Sequence, residues 1–257
     1  MTLYDLGTID SNAANKRDNL TVTTSAPDDI FKFRTLNSRS INLMITDLQG
    51  GDADLQLYRD SNNNGTLQIG TDQLISSSTS GGSNDDEINR WGGQGTYFAR
   101  VYRYNSPYNG PSVRYDFYYS ATKQNAVFTG PPNLLSKEEN LGNLTSDRSF
   151  QNRSVGFSTS GSSEVGDTSD LYAFTLGAGH TVNIRLDGLN NNADIRLIRD
   201  SDNDRIVDGV PNEQVASSTR WGTTADVIPV STPGDYYLQV YPTTGSNIEY
   251  DLTFDYT

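Results

Sequence analysis

The sequence of 257 residues contains no cysteine and a single histidine, His180. Without cysteine the chain can form no disulfide, no thiolate metal site and no cysteine nucleophile. One histidine is too few for a two-histidine zinc site, and it is the sole candidate for the base of a serine–histidine–aspartate triad. The chain also lacks a run of 18 apolar residues, so we predict no membrane-spanning helix.

Hydrophobic residues are scarce as well, at 34 %, against the ~45–50 % of a typical globular chain. The 32 acidic residues outnumber the 19 basic ones, which gives a net charge of −13. Such a surface repels phosphate backbones and attracts cations, so we expect no nucleic-acid partner. Of the acids, 26 are Asp and only 6 are Glu. Asp favours turns and oxygen ligation, whereas scarce Glu disfavours helices.

What the sequence does contain is an alternation of apolar and polar residues along short segments. Clear examples are 41–45, 113–119 and 182–186, where every second residue is apolar. A period of two predicts half-buried β-strands. Clusters of Gly, Asn, Asp and Ser separate such segments at intervals of about 8–12 residues, which favours an all-β sandwich fold.

The two halves of the chain repeat each other in the same order, about 140 residues apart. The matching segments are DLGTIDS (5–11) with NLGNLTS (140–146), APDDIFKFRTL (26–36) with DTSDLYAFTL (167–176), INLMITDLQGGDADLQLYRDS (41–61) with VNIRLDGLNNNADIRLIRDS (182–201), GTYFARVYRY (95–104) with GDYYLQVYPT (234–243), and VRYDFYYS (113–120) with IEYDLTFD (248–255). We predict two homologous domains in tandem, at 1–121 and 134–257. The linker, 122–133, contains Pro131-Pro132 and should be extended and moderately stiff.

The order of these elements resembles the bacterial pre-peptidase C-terminal domain. The elements that carry the resemblance are Asp29/Phe31/Phe33 and Asp170/Tyr172/Phe174, Ala53-Asp54-Leu55 and Ala193-Asp194-Ile195, Gly95-Thr96-Tyr97-Phe98 and Gly234-Asp235-Tyr236-Tyr237, and Tyr115-Asp116-Phe117 and Tyr250-Asp251-Leu252. The leading Leu-Gly-Thr and Leu-Gly-Asn segments look like the tandem versions found in cyanobacterial secreted proteins. The resemblance implies two jelly-roll-like antiparallel β-sandwich domains, an extracellular or cell-surface location and, in several relatives, calcium. Family members usually accompany a secreted hydrolase and are not catalytic.

The clearest chemical signal is an acidic loop that follows the Ala-Asp segment in each repeat. Its oxygen-bearing side chains are Asp200, Asp202, Asp204 and Asp208 in domain two, and Asp60, Asn62 and Asn64 in domain one. Calcium takes six to eight oxygens, of which a loop of this pattern supplies about five. We therefore predict Ca²⁺ in both loops, bound more weakly in domain one. Arg205 stands where an EF-hand has glycine, so we expect a loop between strands. The alternative is a plain Asx-rich turn.

A second candidate cation site combines acids from two strands of each repeat. Asp29 with Asp54, and Asp170 with Asp194, would form an oxygen cage if their strands lie side by side. Asp28 and Asp167 are the neighbouring acids at the same strand entries. The alternative is that Asp54 and Asp194 bond backbone amides at the start of a strand.

Trp91 and Trp221 each stand beside glycine in segments that read as loops. An exposed indole there would stack on a sugar ring, and the alternative is that each caps its core.

No nucleophile motif or phosphate-binding loop is present, so we predict no enzyme and no catalytic residue. We expect a calcium-binding module of a secreted or cell-surface protein, used in adhesion or beside an exported hydrolase. The alternative is a calcium-independent module that binds polysaccharide or matrix protein.

Overall fold

A computed structural model describes residues 1–10, 12–105, 107, 109–123, 131–157, 166–208, 213–243 and 247–257. These residues form 19 strands and no helix, so the predicted all-β class is confirmed. Within the described chain, nothing has the helical length and apolarity needed to cross a membrane. The described residues divide into two compact units. Unit one holds those from Met1 to Lys123 with Pro132–Leu134, and unit two holds Pro131 and those from Leu135 to Thr257.

Unit one is a sandwich of two β-sheets. Its strands are β1 (Thr2–Thr8), β2 (Asn15–Thr23), β3 (Asp28–Thr35), β4 (Arg39–Gln49), β5 (Ala53–Arg59), β6 (Gln73–Ser78), β7 (Asp86–Gly92), β8 (Gly95–Arg103) and β9 (Ser112–Lys123). One sheet has the order β1-β3-β8-β5-β6, and the other has β7-β4-β9-β2. All these neighbours are antiparallel except β1 and β3, which are parallel.

Unit two repeats this topology. Its strands are β10 (Glu139–Asn143), β11 (Arg148–Phe157), β12 (Gly166–Asp167), β13 (Asp170–Leu176), β14 (Val182–Asp187), β15 (Ala193–Ile198), β16 (Gln214–Ser218), β17 (Asp226–Val230), β18 (Gly234–Pro242) and β19 (Ile248–Tyr256). The sheets are β10-β13-β18-β15-β16 and β17-β14-β19-β11, with β12 paired to β11. Even the register shift in the first strand recurs, between Asp5 and Gly7 and between Asn140 and Gly142. The sequence repeat is therefore a structural repeat.

Each unit has its own apolar core between its two sheets. In β14 the predicted alternation holds, because Val182, Ile184 and Leu186 are buried while Asn183 and Arg185 are exposed. Strand β4 differs, since it is buried on both faces. Its Asn42 is satisfied there by side chains, with Nδ2 donating to Ser120 Oγ at 2.9 Å. Burial of both faces is a tertiary effect that period two alone does not predict.

The predicted linker, 122–133, begins inside β9, which runs to Lys123. Its residues 124–130 lie outside the described part of the chain. At its other end, Asn133 Nδ2 donates to the carbonyl of Asn12 at 2.8 Å, and Ser120 Oγ donates to Asn133 Oδ1 at 2.6 Å. Asn133 is therefore held by residues of unit one.

Candidate metal centres

Loop two is defined here as residues 200–208 together with Glu213, between β15 and β16. The Asp200 carboxylate organises it by accepting the backbone amides of Asp204 at 3.2 Å and Arg205 at 3.1 Å. Asp204 Oδ1 in turn accepts the amide of Ile206 at 2.8 Å. Asn203 and Arg205 have φ of 60° and 66°, in the left-handed region that lets a short chain turn back on itself. The loop lies between strands, as expected, and not between helices.

Four carboxylates converge in loop two. Asp200, Asp202, Asp204 and Glu213 each offer one oxygen, and these oxygens all lie within 4.8 Å of one another. Asp208 is not part of this group, and its backbone amide donates to Glu213 Oε2 at 3.1 Å. Glu213 is only 1 % exposed.

Glu213 was not among the ligands predicted from the sequence. A signal was present, because Asp72-Gln73 and Glu213-Gln214 place an acid immediately before β6 and β16 in the two repeats. The segment between Asp208 and Glu213, 209–212, lies outside the described residues.

Burial and the close spacing of the acids raise the pKa values of two carboxyl groups in loop two. Burial raises the pKa of Asp204, and the charges of Asp202, Asp200 and Asp208 raise it further. Burial also raises the pKa of Glu213, with the charges of Asp200 and Asp202 adding to it. In both residues burial, and to a smaller extent the neighbouring negative charges, destabilise the ionised form, and a bound divalent cation would favour it.

Loop one, residues 60–72, has the same backbone hydrogen bonds. Asp60 accepts the amides of Asn64 at 3.2 Å and Gly65 at 2.8 Å, and Asn64 Oδ1 accepts that of Thr66 at 2.8 Å. Gly65 has φ of 72°, close to that of Arg205. The loop therefore reproduces the fold of loop two.

Side-chain amides close loop one. Gln68 Oε1 accepts hydrogen bonds from Asn62 Nδ2 at 2.7 Å and Asn64 Nδ2 at 2.9 Å. Asp72 accepts the backbone amides of Ser61 at 3.0 Å and Gln68 at 2.7 Å, as Glu213 does with Ser201 and Asp208. The predicted ligands Asp60, Asn62 and Asn64 do lie together, but Asp60 and Asp72 are the only carboxylates of this loop.

A second carboxylate group lies at the entry to β13. Asp170, Asp167 and Glu138 each offer an oxygen within 4.8 Å of the others. Glu138 also accepts the backbone amide of Leu171 at 3.0 Å, and Tyr250 donates its hydroxyl to Asp170. These acids line a cleft of about 320 Å³. Glu138 comes from a distant part of the sequence, which is why pattern reading did not select it.

The predicted pairing of Asp29 with Asp54, and of Asp170 with Asp194, does not occur. Strand β8 lies between β3 and β5, and β18 lies between β13 and β15. Asp29 faces the core, where it accepts the Tyr115 hydroxyl at 2.8 Å, whereas Asp54 alternates with core residues and faces away. The same alternation separates Asp170 from Asp194. The alternative was that Asp54 and Asp194 bond backbone amides. In the described part of the chain they have side-chain partners instead, since Asp54 bonds the Tyr102 hydroxyl and Asp194 accepts Asn192 Nδ2 at 3.2 Å.

The two tryptophans have different surroundings. Trp91 lies within β7, opposite Ser40, so the expectation of a loop was wrong for this residue. Trp221 lies in the turn between β16 and β17 and is 89 % exposed, so it does not cap the core. Gly222 follows it with φ of 73°.

Residues 168–242 match the family model of the bacterial pre-peptidase C-terminal domain. The comparison with curated proteins found no match. Among solved structures, the pre-peptidase C-terminal domain of Bacillus anthracis collagenase is 17 % identical, covers 47 % of this chain and 94 % of its own, and has a TM-score of 0.32. The Aeromonas hydrophila inhibitor of g-type lysozyme, PliG, is 12 % identical, with coverages of 47 % and 98 % and a TM-score of 0.31. At such TM-scores these similarities carry no argument about function.

Proposed function

We propose that this chain is a non-catalytic, calcium-stabilised module of a secreted or cell-surface protein, because residues 168–242 of unit two match the model of the bacterial pre-peptidase C-terminal domain. It serves in binding or adhesion, or as an accessory domain beside an exported hydrolase. The family supports the coarser part of this proposal, an accessory module of a secreted protein. The finer part, the proposal that calcium binds, rests on the acidic groups of unit two.

The carboxylate group of loop two is the observation that carries the proposal. Oxygens bound to calcium lie 2.3–2.6 Å from the ion, so two ligands on opposite sides are about 5 Å apart. The four oxygens of Asp200, Asp202, Asp204 and Glu213, all within 4.8 Å of one another, fit around one such ion. Asp200 and Glu213 are already fixed by backbone amides, which reduces the ordering that binding requires.

The group at the entry to β13 offers a second calcium position. Its members come from three places: Glu138 just before β10, Asp167 in β12 and Asp170 in β13. An ion held by all three would link the beginning of unit two to its sheets. Three converging carboxylates repel one another unless a cation neutralises them.

Calcium bound only by the folded chain would contribute substantially to stability. A ligand at a thousandfold excess over its Kd stabilises the folded state by about 4 kcal/mol. That is a large share of the ~5–15 kcal/mol by which a typical domain is stable. It matters here because the chain has no disulfide and 34 % hydrophobic residues.

Titration calorimetry with calcium tests the site assignment. We expect Asp200→Ala with Asp202→Ala to remove the binding event of loop two, because half of the carboxylate group is lost. The matched variant Asp60→Ala with Asn62→Ala, in loop one, should leave that event in place. Full stoichiometry in the Asp200/Asp202 variant would show that the ion is not held by loop two.

Trp221 favours a second candidate function, a module that binds polysaccharide or matrix protein without calcium. A Trp side chain that is 89 % exposed at the tip of a turn has an indole face open to a partner. Retention on a polysaccharide or collagen-like resin in EDTA should then be lost in Trp221→Ala. Trp91→Phe, a change within β7, is the control and should be retained. Equal retention of all three proteins would remove Trp221 from the contact.

A further inference from the structure

The sequence contains two Asn-Gly pairs, Asn64-Gly65 in loop one and Asn109-Gly110 between β8 and β9. Asparagine before glycine is prone to deamidation, because the glycine nitrogen can attack the side-chain amide carbon with no Cβ in the way. In a folded protein the reaction also depends on what holds the two reacting groups. The two pairs differ in this respect, so they can be compared within one chain.

Asn109 is held by backbone groups of other segments. Its Oδ1 accepts the amide of Asp52 at 2.9 Å, and its Nδ2 donates to the carbonyls of Asp52 at 2.9 Å and Tyr104 at 2.7 Å. The nitrogen of Gly110 donates to the carbonyl of Gly50 at 2.7 Å. Both Gly50 and Asp52 lie in the turn between β4 and β5. We therefore expect the fold to protect Asn109, because this turn must open before the pair can react.

The side chain of Asn64 is exposed and has local partners. Its Oδ1 accepts the amide of Thr66 at 2.8 Å, and its Nδ2 donates to Gln68 Oε1 at 2.9 Å. Both partners belong to loop one and lie within four residues of Asn64. These hydrogen bonds can therefore break without disturbing either sheet of unit one, and water reaches the site directly.

Two of the loop's hydrogen bonds fall on the atoms that react in deamidation. Gly65 N donates to Asp60 Oδ2 at 2.8 Å, so a carboxylate contacts the proton that must leave the attacking nitrogen. The Thr66 amide donates to Asn64 Oδ1, where negative charge develops when the amide carbon is attacked. The same hydrogen bond folds the Asn64 side chain over the Gly65 peptide. Loop one thus combines a nucleophile, a base and a donor to the developing oxyanion.

We propose that Asn64 is a site of spontaneous deamidation in the folded protein, with Gly65 N as the nucleophile and Asp60 as the general base. A bond forms between Gly65 N and Asn64 Cγ while the proton of that nitrogen passes to Asp60. The proton is returned to Nδ2, the Cγ–Nδ2 bond breaks, and ammonia leaves behind a succinimide. Water then opens the ring at either carbonyl and gives aspartate or isoaspartate. The net reaction consumes one water and releases one ammonia.

The aspartate product is compatible with the fold, because loop two carries Asp204 at the equivalent position. Asp204 Oδ1 accepts the amide of Ile206 at 2.8 Å, as Asn64 Oδ1 accepts that of Thr66. In loop one the product loses the hydrogen bond to Gln68 and adds a negative charge. Isoaspartate instead adds a methylene to the main chain and displaces the turn. Loop one therefore changes with the age of the protein. The reaction needs no metal and does not depend on the proposed function.

Peptide mapping by mass spectrometry of the full chain, aged in EDTA at neutral pH, tests the proposal. Fragmentation of the peptides localises each change and separates aspartate from isoaspartate. We expect Asn64 to be lost from the folded chain while Asn109 is retained, and both to be lost from a chain unfolded in guanidinium chloride. Retention of Asn64 in the folded chain, or loss of both residues at equal rates there, would overturn the proposal. This comparison needs no substitution.

Asp60→Asn tests the role of the base. The new amide can still accept the Gly65 hydrogen but is not basic, so we expect the loss of Asn64 to slow at least about tenfold. The matched control is Asp72→Asn, because Asp72 accepts the amides of Ser61 at 3.0 Å and Gln68 at 2.7 Å instead. That variant should not slow the reaction. An unchanged or faster loss of Asn64 in Asp60→Asn would show that Asp60 only holds the loop and is not the base.

Discussion

Loop one and loop two have nearly the same backbone and different chemistry. In both, an aspartate accepts the fourth and fifth following amides, and an acid before the next strand accepts two more. Loop two carries five acids, Asp200, Asp202, Asp204, Asp208 and Glu213, whereas loop one carries two acids and four amides, Asp60, Asp72, Asn62, Asn63, Asn64 and Gln68. The same loop backbone therefore occurs with side-chain amides that hydrogen-bond one another and with a group of converging carboxylates.

Lys32 places a positive charge beside loop one. Its ammonium nitrogen lies 2.9 Å from the position that a Cβ would take at Gly65 of loop one. Lys32 is paired with Phe98, and the corresponding pair in unit two is Ala173 with Tyr237. In loop two the Arg205 side chain, at the position of Gly65, lies over the Tyr237 ring, so each loop has one positive side chain beside it and the two loops differ mainly in their acids. We expect loop two to bind calcium and loop one to bind it weakly or not at all.

The largest effect should come from removing one exposed acid of loop two. Asp202 belongs to the carboxylate group but is exposed, so Asp202→Asn should weaken the ion's binding while sparing the loop's backbone hydrogen bonds. We expect most of the calcium-dependent stabilisation of unit two, about 4 kcal/mol at a thousandfold excess over Kd, to disappear. Urea unfolding with and without calcium measures this. An undiminished calcium effect would contradict the role of loop two.

Unfolding as a function of pH gives the next effect. A carboxyl whose folded-state pKa is raised stabilises the folded chain while protonated, and this stabilisation is lost as pH rises through the raised pKa. Asp86 and Asp194 have pKa values raised to about 6 by burial and by neighbouring acids. In EDTA we therefore expect stability to fall by roughly 2 kcal/mol between pH 4 and pH 7. Asp86→Asn should reduce the decrease, and a decrease of unchanged size in that variant would argue against the raised pKa of Asp86 as its cause.

Loop one can be converted to the chemistry of loop two. Asn62→Asp, Asn64→Asp and Gln68→Asp with Lys32→Ala should raise its calcium affinity by about tenfold or more, because ligand charge sets affinity. Lys32→Ala alone is the control and should give a much smaller gain. Calorimetry on both variants measures the calcium affinity. A converted loop that binds no more calcium than the natural one would show that ligand charge does not cause the difference in affinity between the two loops.

The smallest effect concerns the turn itself. Gly65→Ala places a side chain at φ of 72° and against Lys32, so it should destabilise unit one by about 1 kcal/mol. Arg205 tolerates a similar φ because its side chain bonds the carbonyl of Leu135 and lies over the Tyr237 ring. Thermal unfolding in EDTA measures the change. An unaltered midpoint for Gly65→Ala would mean that the loop relaxes around the new methyl group.

The strands and their duplication were predictable because period-two alternation and ordered repeats are local properties of the sequence. Asp200, Asp202 and Asp204 were also recognisable, since they stand close together in the chain. Glu213 could be found only by comparing the two repeats, in which an acid precedes β6 and β16. Glu138 and Tyr102, which contact Asp170 and Asp54, were not recognisable, because folding brings them together from separated segments. The predicted pairing of Asp29 with Asp54 failed for the same reason, since β8 comes between their strands and the two side chains face opposite ways.

Thermal unfolding of the unsubstituted chain in EDTA, and then in about 2 mM calcium with magnesium as control, tests the central claim most directly. A gain of a few kcal/mol in a domain of this size corresponds to a rise of about 10 °C. We predict that rise with calcium and not with magnesium, which keeps its waters in a loop of this kind. Coincident unfolding curves in EDTA and calcium would contradict a folded-state calcium site and reduce the acidic loops to ordinary turns.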